Sequence, residues 1–218
     1  MPNQTAAGRA AGAPENGAPD ARFGGGPPSG PPTPVEPPVS NARLALLMFI
    51  GAEVMLFAGL VGAYLVLRYS SVVWPPAGQP RLPIAVTVGN TAALALSALT
   101  VRRAWTGIRA GNRERLRRGM AATAVLGSVF LGVQGSEWLR LVRHGLSLSS
   151  TYGATFAALI GLHGLHALGA LVAVGVVLWR ASGWRYSARH CTGVELCATY
   201  WTFVCALWLA LFALVYLG

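Results

Sequence analysis

Two histidines stand three residues apart in the run IGLHGLHALG, residues 160 to 169, where every other position is Gly, Ala, Leu or Ile. Imidazoles can bind metal, hold haem or pass protons, and residues at i and i+3 share one helical face, so His163 and His166 can act together. A redox metal needs further His, Cys or Met donors, and a bis-histidine haem needs its ligands on facing helices. The remaining histidines, His144 and His190, fall in connections, and the cysteines Cys191, Cys197 and Cys205 show neither CxxC nor CxxxC spacing. The cysteines read as small hydrophobes in or beside a helix. For the histidine pair three roles stay open: ligands of a metal or haem, satisfied structural side chains, or members of a proton-exchanging network.

Acids are the other groups able to do chemistry. The chain has only seven, and Glu53, Glu137 and Glu195 fall inside long apolar runs. What these groups can do depends on the elements that carry them. Hydrophobic residues make up 54% of the 218 residues and charged ones 11%, with a mean hydropathy of +0.51. A soluble domain carries about 25% charged residues, so this composition predicts a membrane protein. Five apolar segments, at about 44 to 67, 82 to 101, 119 to 139, 153 to 179 and 194 to 217, each approach the ~20 residues an α-helix needs to cross the hydrocarbon. The expected fold is all-α: an integral membrane bundle of five transmembrane helices over residues 41–218, behind a disordered Pro/Gly/Ala-rich tail over residues 1–40. The tail has almost no large apolar side chains with which to offset the entropy of ordering, and no secretory h-region.

A net charge of +10, all its cations arginine, suggests nucleic acid until the arginines are placed. They cluster in the second connection, RRAWTGIRAGNRERLRRG, and in the fourth, whereas the first and third hold few. The positive-inside rule then puts the N-terminus in the cytoplasm and the C-terminus on the outer face, with no nucleic-acid partner. The same arginine-rich connection could meet anionic lipid head groups. Small residues recur at every fourth position at Ser128, Gly132 and Ser136 in the third segment and at Gly153, Ala157 and Gly161 in the fourth, which predicts that these two helices pack along those stripes.

Depth separates the acids. Glu137 falls near the outer end of its segment and Glu195 near the inner end of its own, where water or head groups are in reach. Glu53 sits ~14 Å along its helix, close to the bilayer centre, where a lipid-facing charge costs on the order of 3 kcal/mol. It must face the bundle, either protonated or hydrogen-bonded. His166 lies ~20 Å from the inner end of the fourth segment, a depth approaching that of Glu53.

The pieces FIGAEVMLFAGLVGAYLVLR, WPP at 74 to 76, GNTAALALS, GVQGSEW, YGATFAALIGLHGLHALGA and GVELCATYWTFVCALWLALFALVYLG occur in the order found in subunit III of the haem-copper oxidases. The chain most closely resembles cytochrome c oxidase subunit III, in its short five-helix form. That resemblance implies a non-catalytic accessory subunit of a respiratory terminal oxidase, in a bacterial-type plasma membrane. Its partners would be subunit I, which carries the catalytic haems and copper, subunit II and membrane lipids, while the chain itself binds neither metal nor haem. It matches Glu53 to a buried carboxylate near the proton-uptake side of the catalytic subunit, the paired histidines to His163 and His166, and two further acids to Glu137 and Glu195. Structural phospholipid, with Trp74, Arg102 and Arg103 as contacts, follows by analogy. The motif often written YWHFVD reads YWTFVC here, with Thr202 and Cys205 at its polar positions. A related subunit of a quinol oxidase or nitric oxide reductase is the alternative within the resemblance. A stand-alone proton-coupled transporter would need an inverted repeat, which an odd number of segments does not provide.

Overall fold

A computed structural model describes residues 40–72, 84–144, 150–183, 186 and 191–217. The tail over residues 1–39, the WPP stretch with Trp74, and His190 lie outside the described residues. Among the described residues five helices are long and apolar enough to cross a membrane. They are α1 (Asn41–Ser70), α2 (Ile84–Arg109), α3 (Arg113–Arg143), α4 (Thr151–Ser182) and α5 (Thr192–Phe212). Within α4 a π turn over Ala157–Gly161 precedes the histidine pair, and α5 runs on into a second π turn, Ala213–Leu217.

Four of the five helices, α1 to α4, are longer than their apolar segments, and the second connection shows why. Arginine is a good helix former, so α2 continues to Arg109 and α3 begins at Arg113, and most of the supposed loop is helical. Only three residues turn the chain. The amide of Asn112 donates to the Gly107 carbonyl and that of Gly111 to the Ile108 carbonyl, both at 2.9 Å, which is a Schellman stop. Gly111 holds φ at 76°, where a Cβ is strained. Asn112 then caps α3 by accepting from the Arg115 amide at 2.8 Å. Gly111→Ala should therefore destabilise the hairpin by about 1 kcal/mol, read as a lowered thermal midpoint of the assembled protein.

Helices in lipid have no hydrophobic drive toward one another, so close backbone approach and interhelical hydrogen bonds must hold them. Added Cβ atoms show where the backbones approach: one on Gly119 would fall 2.7 Å from the Ala104 Cβ, and one on Gly127 2.5 Å from the Trp201 ring. α3 does pack against α4, but the stripe expected to join them faces outward. Ser128, Gly132 and Ser136 are exposed, and a Cβ on Gly132 would meet nothing within 4 Å. The inward line runs one residue earlier, through Gly119, Thr123 and Gly127. On α4 the expected stripe is mixed: Gly153 is buried and Ala157 half-buried, whereas a Cβ on Gly161 would meet nothing within 4 Å.

Polar side chains stitch the buried seams. Asn90 Nδ2 donates to the Phe130 carbonyl at 3.0 Å, and the Thr100 and Thr123 hydroxyls meet at 2.7 Å, both between α2 and α3. Ser97 on α2 accepts from the Trp201 indole at 3.0 Å, and Thr91 accepts from the Trp208 indole at 2.9 Å, tying α2 to α5. α1 is the outlier. Among the described residues it packs chiefly on α5 and on α4 at and just beyond the π turn, and buries Glu53, Phe57 and Tyr64.

Candidate functional site

That narrow buried edge of α1 carries the acid. Glu53 is 4% exposed and faces α4 and α5. The Tyr200 hydroxyl, on α5, donates to Glu53 Oε1 at 2.9 Å, and His166 Nε2, on α4, stands 3.4 Å from the same oxygen. The structure thus brings together Glu53 and His166, which equal depth suggested, and adds a phenol. His166 Nδ1 lies 2.7 Å from the Leu162 carbonyl oxygen, one turn back. A carbonyl only accepts, so Nδ1 carries a hydrogen and, in the neutral ring, Nε2 carries none. Facing an ionised carboxylate, that nitrogen would set lone pair against lone pair in a buried place. A proton placed on the acid or on the ring would remove that opposition, and either placement leaves the pair with no net charge.

His163 is placed differently. It is 1% exposed, and its ring sits 5.2 Å from Trp208 and 6.5 Å from Phe57, while neither nitrogen has a hydrogen-bond partner among the described residues. Phe57 is the common wall, with its ring also 5.4 Å from that of His166. Glu53 Oε2 likewise has no partner among the described residues. A carboxyl oxygen and two imidazole nitrogens with unused capacity thus surround one phenylalanine.

The other acids take ion pairs away from this cluster. Glu137 is buried, 8% exposed, and Arg140 Nη1 donates to it at 2.9 Å. It does not open to water as expected, because α3 runs on past it to Arg143 and supplies a cation one turn later. Glu195 lies in the first turn of α5, where a carboxylate favours the helix dipole, and Arg43 of α1 approaches it at 3.6 Å. This half-exposed pair is worth at most about 1 kcal/mol, yet it sets α1 and α5 side by side and parallel. Arg68 Nη1 donates to the Leu214 carbonyl at 3.4 Å near their other ends.

The two residues at the altered motif positions point away from Glu53. Thr202 Oγ1 donates to the Ala198 carbonyl in its own helix at 2.7 Å. Cys205 Sγ lies 3.9 Å from both Ser97 Oγ and the Leu94 carbonyl on α2. Arg102 and Arg103 stand on the exposed side of α2. Tyr200 is the residue that sequence reasoning missed. Its signal was a phenol in the last span, aligned with α1 once the Arg43–Glu195 pair fixes the register.

Among the described residues no three of His, Cys, Asp and Glu converge as metal ligands. Fold and site together define a multi-pass helical membrane protein that buries a carboxyl–phenol–imidazole contact between α1, α4 and α5. Residues 37–218 match the family model for cytochrome c oxidase subunit III. The cytochrome c oxidase subunit 3 of Synechocystis sp. is 35% identical over 173 residues, which cover 79% of this chain and 73% of that protein. That of Thermostichus vulcanus is 36% identical over 80% of this chain and 86% of its own length, and a probable counterpart in Nocardia farcinica is 34% identical over 78% and 84%. The chain belongs to the cytochrome c oxidase subunit III family, and is a non-catalytic subunit of a haem-copper oxidase.

Proposed function

We propose that this chain packs against subunit I and subunit II of a terminal oxidase that takes electrons from cytochrome c, reduces oxygen and translocates protons, and that Glu53 and His166 together hold a proton exchanged during turnover. Haems and copper reside in the partners. The supporting observation is the 2.7 Å approach of His166 Nδ1 to the Leu162 carbonyl, which turns Nε2 toward Glu53 Oε1 at 3.4 Å, where the two can share a proton. Tyr200 fixes the carboxyl while leaving Oε2 free to accept or deliver that proton. His163, enclosed by Phe57 and Trp208, serves packing rather than exchange. The chain lies in a bacterial-type plasma membrane with its N-terminus in the cytoplasm and its C-terminus on the outer face. Structural phospholipid, with Trp74, Arg102 and Arg103 as contacts, completes the subunit.

Co-purification tests the partnership. Tagged chain extracted in mild detergent should carry haem absorbance and lose it on a harsher wash, because the colour belongs to the partners. A colourless, homogeneous monomer with transport activity of its own would refute the oxidase reading.

A further inference from the structure

Glu53 is buried, with Phe57 one turn further along α1, so a proton held there needs a way in. The seam between α1 and α5 offers two directions. Toward the C-terminal ends of these helices it forms a groove of about 340 Å³ between Val54, Phe57 and Val61 of α1 and Leu207, Leu211 and Leu214 of α5 and the π turn beyond it. None of these side chains can carry a proton. Toward the N-terminal ends the seam is different. The Tyr200 hydroxyl donates to Glu53 Oε1 at 2.9 Å, and the Tyr200 ring lies 5.7 Å from that of Phe49, which is exposed. Five residues before Tyr200, ~7.5 Å back along α5, stands Glu195. Its side chain is 29% exposed, enough to meet water, and among the described residues it is the one acid on α1 or α5 besides Glu53. Arg43 of α1 faces it at 3.6 Å, too far for a good hydrogen bond.

The geometry points to Glu195 as the acid that collects protons for Glu53, with Arg43 as a latch over the mouth of the seam and Tyr200 as the relay. This rests on the reading of Glu53 as a proton holder and adds where its protons enter. The transfer balances with water alone. A proton taken from water neutralises the Glu195 carboxylate, and the attraction to Arg43 goes with the charge. Water then passes Phe49 and spans the remaining distance to the phenol, whose oxygen accepts a proton as its own hydrogen moves to Glu53 Oε1. Glu195, ionised again, returns to Arg43 and closes the mouth. Glu53 Oε2, without a partner among the described residues, stays free to deliver the proton onward. As a mere fastener the Arg43–Glu195 pair is poor, being long and open to water on both sides.

The test uses the assembled oxidase in lipid nanodiscs, mixed rapidly into D2O, with infrared detection of the Glu53 carboxyl, whose band is assigned by its loss in Glu53→Gln. Glu195→Gln should slow deuterium entry at that carboxyl on the order of 100-fold, as for loss of a positioned proton carrier, while Glu195→Asp retains most of the rate. Arg43→Gln breaks the same ion pair and should leave entry as fast or faster. Tyr200→Phe keeps the ring beside Phe49 but lacks the relay hydroxyl, so it should slow entry likewise, and it decides the matter if Glu195→Gln does not assemble. Equal slowing by Glu195→Gln and Arg43→Gln would reduce the pair to a fastener and overturn the inference. So would unchanged entry in either Glu195→Gln or Tyr200→Phe, which would place the route elsewhere. A Glu53 carboxyl that keeps one protonation state throughout turnover would instead refute proton holding itself, which keeps the two failures apart.

Discussion

Trp208→Ala should cost about 4 kcal/mol, enough to remove this subunit from the purified oxidase or to lower its thermal midpoint sharply. Trp208 is fully buried, with its ring 5.0 Å from Phe130 in an edge-on contact, 5.2 Å from His163 and 6.1 Å from Tyr216. Its indole N–H donates to the Thr91 hydroxyl. One side chain of α5 thus joins α2, α3 and α4. Truncation opens a cavity that these neighbours cannot close, since each is anchored on a separate helix, and it strips one wall from His163. Trp208→Phe keeps most of the contact area and loses only the hydrogen bond, so about 1–2 kcal/mol is expected. Retention of the subunit by the alanine variant in a stepwise detergent wash, equal to that of the unsubstituted chain, would show that the contact does not hold the bundle.

Gly127→Leu should be nearly as damaging, at about 3 kcal/mol, through overpacking. A Cβ at this position would fall 2.5 Å from Trp201 Cη2 and 3.1 Å from Leu171 Cδ1. Trp201 cannot retreat, because it is 2% exposed and its indole is held by Ser97. The helices themselves would have to separate. Gly132→Ala supplies the contrast on the outward face, where an added methyl meets nothing and the helix gains up to about 1 kcal/mol of propensity. Thermal unfolding of the two variants side by side should give opposite signs. Equal losses would mean that the inward and outward lines of α3 are wrongly assigned.

That pair of glycines shows what could be read from the sequence and what could not. Five spans were plain, because apolar runs of this length have few other uses. Their ends were not, since an arginine at a membrane surface extends a helix as readily as it ends one. Small residues at every fourth place signalled close packing on α3, yet two such lines lie one residue apart. Spacing alone cannot choose between Gly127 and Ser128; Trp201 chooses, by filling the space over one of them. The depth of Glu53 came from counting rises along a helix, and depth was enough to suggest His166 as its neighbour. Tyr200 escaped because a tyrosine in a span is by default an interfacial or packing residue, and only the parallel register of α1 and α5 brings its hydroxyl to the acid. Glu137 was misjudged because the helix continues beyond the apolar run, which buries the acid and provides Arg140.

Glu53→Gln is the substitution that isolates proton holding from structure. Glutamine has the same shape, and its oxygen still accepts from Tyr200, so the complex should assemble with unaltered haem absorbance. It cannot give up or gain the proton that we propose Glu53 shares with His166. The direct measurement is proton uptake, together with the number of turnovers before inactivation, in the assembled Glu53→Gln oxidase beside the unsubstituted one. Slower uptake or a shorter working life is predicted; identical uptake and endurance over many turnovers would contradict the account and leave Glu53 as a packing contact.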